Sequence, residues 1–120
     1  MSEHVPKKLR AEIARRANGR CEYCCSPAKF SIDPFFAEHI LPLAKGGLTT
    51  PDNIAFACMG CNGYKPDKIE GFDSDSQTMV RLYHPRNHIW SEHFAWNEDF
   101  TRLAPLTDIG RVTISELQLN

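Results

Sequence analysis

The sequence predicts one small α+β domain over residues 1–120, and three observations carry that expectation. Leu9, Ile13 and Ala17 recur at i, i+4 and i+8 over 6–17, the period of a helix with one buried stripe. Aromatic and β-branched residues crowd 30–40 (Ile32, Phe35, Phe36, Ile40), the composition of a strand or hairpin arm. Two Cys-x2-Cys pairs, Cys21/Cys24 and Cys58/Cys61, bracket that arm, and no repeat, low-complexity tract or linker divides the 120 residues. A chain of this length builds a modest core that a structural metal would reinforce materially.

Taken in order, the helix over 6–17 opens on Pro6, suited to a first turn, and stops at Asn18-Gly19, which supplies a left-handed exit. Lys7, Lys8, Arg10, Arg15, Arg16 and Arg20 make its outer face basic; that face either tracks phosphates or is simply solvated. Residues 21–27 form a knuckle turning at Glu22-Tyr23. Pro34 weakens strand pairing at the start of the next arm. Residues 41–49 are a loop in which Gly46-Gly47 allows φ > 0 and a close approach of backbone to a ligand.

Thr50-Pro51-Asp52-Asn53 has the chemistry of a helix start: Thr50 as N-cap, Pro51 at N1, an acid in the first turn. Ile54, Phe56 and Ala57 then turn inward. A short helical turn from Met59 ends near Lys65, because Pro66 cannot continue it. Residues 67–77 read as an acidic surface loop and 79–83 as a strand. A helical turn over 88–94 carries Trp90 and Phe94, with short strands at 94–96 and 101–106. A final helix over 108–119 uses Ile109, Val112 and Leu117, although Thr113-Ile114 leaves strand open.

Composition, 42% hydrophobic and 24% charged, is that of an ordinary soluble globular protein. No apolar run approaches a bilayer span, which excludes a membrane partner on this reading. Residues 1–20 are polar and basic without an apolar signal region, which predicts a cytoplasmic protein. The net charge of −1 hides an asymmetry: residues 1–65 carry nine Lys/Arg against six Asp/Glu, and 66–120 carry five against nine. The basic half suits a polyanion without the strong footprint of a tight duplex binder.

Five cysteines stand at 21, 24, 25, 58 and 61. Two thiolates held in one tight turn present half a tetrahedron, so the two pairs together predict a closed, structural four-cysteine zinc site. The 33 residues between the pairs exceed the spacer of a simple zinc ribbon, so an element is inserted there. An odd count and the absent signal region disfavour disulfides. Cys25 is left over, either a small packed residue or a functional thiol.

Inside the zinc frame lie Glu38-His39, Asn53 fourteen positions on, and Asn62 directly after Cys61. This constellation resembles the HNH endonuclease family, whose core is the ββα-metal (His-Me finger) hairpin and helix. The arginine-bearing helix before Cys21 and Gly46-Gly47 before Pro51-Asp52-Asn53-Ile54 match that family too. The likeness covers about residues 10–66 and continues loosely through Pro85-Arg86, Trp90, His93-Phe94 and Gly110-Arg111, similar to the C-terminal part of small stand-alone bacterial HNH proteins. It implies a ββα-metal core at about 30–66 and a small mixed extension at about 67–120. It also implies a metal-dependent DNA endonuclease leaving 5′-phosphate and 3′-hydroxyl ends, with the core in the minor groove and the first helix on the backbone.

The chemistry of phosphodiester hydrolysis accounts for the residue types. An attacking water must lose a proton, and His39, near neutral pKa, is the candidate general base. Charge gathers on the phosphate and leaving oxygens, which a divalent cation neutralises, and Glu38 is the obvious first ligand. By resemblance, Asn62 supplies a second ligand through its amide oxygen. The family often carries Asp at the place of Glu38 and His at that of Asn62. An all-oxygen pair favours Mg2+ or Mn2+ over Zn2+ or Ni2+, bound weakly until water and substrate phosphate complete the shell. Asn53 either braces the loop around His39 or is a helix-start Asn, and both can hold.

Lys65, Arg86, Arg15 and Arg16 are candidates for substrate phosphate, against an ordinary solvated role. His84, His88, His93, Trp90 and Trp96 read as packed or surface residues. The rival function is a non-catalytic zinc-binding nucleic-acid module, which needs the cysteines and basic helix but not Glu38, His39 and Asn62 together. One active site makes nicking the simpler expectation, with a protein partner or a homodimer as the route to double-strand cutting or specificity.

Overall fold

The amphipathic stripe at the N-terminus folds as expected. Helix α1 (Lys7–Arg16) buries Ile13, and Val5, Ile13 and Ile54 form a cluster with Leu9, Ala37 and Phe56 packed against it. Burying an isoleucine of this size stabilises by about 1.5–3 kcal/mol. The helix ends where Asn18 (φ 55°) and Gly19 (φ 69°) enter the left-handed region and the Gly19 N–H donates to the Ala14 carbonyl at 2.9 Å. The structure is a computed structural model and describes residues 5–65 and 67–120; the helix stop expected at Pro66 lies outside the described residues. The chain is a small mixed α+β protein dividing into two compact units, Met1–Asp67 and Lys68–Asn120.

In the first unit, strands β1 (Phe36–His39) and β2 (Ile54–Ala57) pair antiparallel, with Glu38 opposite Ala55 and His39 opposite Ile54. The short helix α2 (Met59–Tyr64) follows directly and packs against β1. The strand expected somewhere in 30–40 occupies only its last residues, after a 3₁₀ turn at Ala28–Phe30. The helix expected to open at Thr50 is corrected. Pro51–Asn53 is a single 3₁₀ turn, Thr50 makes no side-chain cap, and Ile54 is already extended. Inward-facing Ile54, Ala55 and Ala57 pair with β1 rather than forming a helical stripe, so tertiary pairing overrides the local helix-start chemistry.

Within the second unit, β3 (Glu70–Asp73) pairs with β4 (Thr78–Arg81), so the stretch read as a loop holds a strand and its turn. Gly71 and Asp73 face inward and Glu70 and Phe72 outward, a period-2 pattern disguised by an inward carboxylate. Arg111 neutralises that carboxylate bidentately at 2.8 and 3.1 Å. The helical turn α3 (Trp90–His93), the hairpin β5 (Phe94–Trp96) with β6 (Leu103–Pro105), and helix α4 (Asp108–Leu117) fall where expected. Val112, Thr113 and Leu117 are buried, and Thr107 caps α4 by accepting from the Gly110 N–H.

Candidate metal centre and hairpin site

The two cysteine pairs converge. The sulfurs of Cys21, Cys24, Cys58 and Cys61 all lie within 4.8 Å of one another, and Cys24 Sγ is 3.7 Å from Cys58 Sγ. A tetrahedron with metal–sulfur bonds near 2.3 Å has edges of about 3.8 Å, so the donor set fits zinc. Backbone N–H groups of Tyr23 and Cys24 point at Cys21 Sγ (3.4 and 3.5 Å), and that of Cys61 at Cys58 Sγ (3.4 Å). These bonds orient the ligands and favour thiolates. Hydrogen bonding from Cys21 pulls Cys24 down to about 6 and Cys58 lower still, while Cys21 and Cys61 are pushed up. Cys25 (φ 68°) turns away from the cluster in the left-handed region, half-buried.

Two further ties bind this centre to the hairpin. The Glu22 N–H donates to the Phe56 carbonyl at 2.8 Å, and Glu22 Oε1 accepts from the Phe56 N–H at 2.9 Å. On the other side, the Asn62 N–H donates to the Cys58 carbonyl at 2.9 Å. The backbone that carries Asn62 is therefore set by the second knuckle, with the Asn62 side chain half-exposed on α2.

Glu38 and His39, consecutive on β1, point to opposite faces. Glu38 is buried, and both its oxygens are engaged: Oε1 by the Lys65 ammonium at 2.8 Å and Oε2 by the Tyr23 hydroxyl at 2.9 Å. Burial pushes the Glu38 carboxyl up and the neighbouring Lys65 opposes this. Burial, reinforced by the Glu38 charge, raises the Tyr23 phenol well above its ordinary value. Lys65 is 1% exposed, and its Nζ also donates to the Ile40 carbonyl at 2.7 Å. The lysine offered by the sequence for a substrate phosphate is thus turned inward, because a buried carboxylate requires a charge partner.

His39 is half-exposed, with Nε2 2.9 Å from the Thr49 hydroxyl. Asn53 braces the intervening loop. Its Oδ1 accepts from the Leu41 N–H (2.9 Å), and its Nδ2 donates to the carbonyls of Leu41 (3.1 Å) and Leu48 (2.8 Å). Gly47 is required here, since a Cβ would run into the Leu41 carbonyl and meet Asn53 Nδ2 at 2.9 Å. The close approach is to the protein's own backbone.

Of the arginines, Arg15 is exposed on α1. Arg16 donates to the carbonyls of Pro51 (2.7 Å) and Ile54 (2.6 Å), pinning α1 to the start of β2, with a third of its side chain exposed. Arg86 is half-buried in the second unit. Sequence reasoning missed Tyr23, Thr49 and the Ile40 carbonyl. Their contacts with Glu38, His39 and Lys65 span 10 to 25 residues and leave no spacing signal.

Among the described residues no helix is long and apolar enough to cross a membrane. Comparison with curated proteins gives no match. The family model described as HNH endonuclease matches residues 21–68, a span holding both cysteine pairs, Glu38, His39, Asn53, Asn62 and Lys65. With the cysteine cluster and the hairpin already in place, residues 21–68 are the part of the chain that is similar to the HNH endonuclease family.

Proposed function

We propose that this protein is a metal-dependent DNA endonuclease that hydrolyses phosphodiester bonds, with residues 1–120 acting as one functional domain and 30–66 as its ββα-metal core. The observation that carries this reading is the family match over 21–68, with Glu38, His39, Asn53 and Asn62 on one antiparallel hairpin and the helix after it. His39 takes the proton of the attacking water. Thr49 Oγ1 holds the ring at Nε2, and Asn53 holds the loop that carries Thr49. The closed four-cysteine centre binds zinc structurally and sets the backbone of Asn62.

Glu38 and Asn62 are the proposed ligands of the second, catalytic ion. Both are hard oxygen donors, and each Glu38 oxygen keeps a lone pair beyond the one it uses, so the pair fits Mg2+ or Mn2+. When bound, such an ion neutralises charge developing on the phosphate and the leaving oxygen. Arg15 and the exposed part of Arg16 on α1, together with Arg86, are assigned to the DNA backbone. A cytoplasmic location, and a partner or second copy for double-strand cutting, complete the reading.

One observation favours a different function. Glu38 is buried against Lys65 and Tyr23, as a structural carboxylate would be in a non-catalytic zinc-binding nucleic-acid module. Supercoiled plasmid incubated with the zinc-loaded protein separates the two. Conversion to nicked or linear DNA that requires added Mg2+ or Mn2+ supports the enzyme. Retained DNA binding without conversion in either metal supports the module and sinks the proposal.

A further inference from the structure

A lysine with 1% exposure needs a reason. Lys65 stands at the C-terminal end of α2, three residues after Asn62, and its ammonium lies between Glu38 Oε1 (2.8 Å) and the Ile40 carbonyl (2.7 Å). It therefore touches the chain on both sides of His39, at Glu38 in β1 and at Ile40 just after it. The far oxygen of the carboxylate is held by Tyr23, which is fully buried. A positive group already occupies one face of the carboxylate that, on the reading above, receives a divalent cation, and two cations on one carboxylate repel.

We infer that Lys65 is the resident counter-cation of Glu38, a positioning residue that holds the carboxylate and the backbone flanking His39 in place. Its departure from Glu38 is coupled to entry of the divalent cation. The inference rests on Glu38 being a ligand of that cation. It has two consequences. Divalent cations bind the free protein weakly because Lys65 competes for Glu38. A substrate phosphate, by giving the displaced ammonium a new anion, makes cation binding and DNA binding mutually strengthening.

The zinc-loaded full chain tests this by two independent readouts. Nitrogen-detected NMR of the lysine side chains should show one ammonium protected from exchange in the free protein, assigned to Lys65 by its loss in Lys65→Met. Mg2+ at concentrations that support cleavage should shift that signal and remove its protection. Mn2+ titration, followed by the electron paramagnetic resonance of the free ion, should show Lys65→Met binding at least about tenfold more tightly than wild type without DNA.

An ammonium signal that stays protected and unshifted through the Mg2+ titration overturns the inference; it is read on wild type, so a misfolded variant does not blur it. Equal or weaker Mn2+ binding by a folded Lys65→Met also overturns it. Mg2+-dependent plasmid cleavage together with an unmoved Lys65 signal defeats this inference alone. Absence of both cleavage and Mg2+ response defeats it together with the reading of Glu38 as a ligand.

Discussion

His39 and Asn53 divide the work of the proposed site between a group that reacts and a group that holds. The Asn53 side chain makes three hydrogen bonds to the main chain of Leu41 and Leu48, next to the Thr49 that meets His39. Asn53→Ala leaves those main-chain groups unsatisfied, which costs about 1–3 kcal/mol and should lower the urea midpoint accordingly. Turnover should fall with it, because the loop that fixes the imidazole loosens. Asn53→Asp keeps the acceptor for the Leu41 N–H but sets a carboxylate oxygen against the Leu41 and Leu48 carbonyls, so it should lower the midpoint at least as far as Asn53→Ala. An Asn53→Ala variant with an unchanged midpoint would remove the bracing role. This residue was legible from the sequence, both as a helix-start Asn and as an organiser, and the second role is the one its contacts support. Lys65 was legible only by position. Its burial depends on Glu38, 27 residues earlier, and no local pattern announces a pairing of that kind.

At the scale of elements, the first knuckle is tied to the hairpin through Glu22–Phe56, and the second follows β2 directly at Cys58. Cys58→Ser should lose zinc, lose the circular dichroism of α1 and α2, and lose activity through folding. If the variant kept full stability and lost only turnover, the zinc site would not be structural. In the second unit, hydrogen bonds from Arg111 and Ser76 hold the Asp73 carboxyl below the usual carboxylate range. A depressed folded value stabilises above the unfolded pKa, near about 3.9, and that contribution is lost as pH falls below it. Tryptophan fluorescence, reporting from Trp90 and Trp96, should therefore show the unfolding midpoint dropping as pH is lowered from about 5 to 2. Asp73→Asn should flatten that slope, and an unaltered slope would deny Asp73 its role. Helices α1 and α4 were readable because their apolar periodicity is long. Strand β3 was not, since its inward positions are Gly71 and Asp73, and four residues carry too little pattern.

For the whole molecule, the sequence foretold the cysteine centre and the mixed α+β class better than it foretold what closes around them. Cysteine spacing is a local rule with a metal behind it, whereas a 3₁₀ turn at Pro51–Asn53 leading into a strand is decided by pairing with β1. The most direct measurement of the proposed function is the rate at which His39→Ala converts supercoiled plasmid in Mg2+, set beside wild type at matched zinc content. Loss of a general base should slow conversion by about 10²–10⁴-fold while zinc content and DNA binding stay unchanged. Conversion by His39→Ala at the wild-type rate would contradict the assignment of His39 and, with it, the catalytic reading of the hairpin.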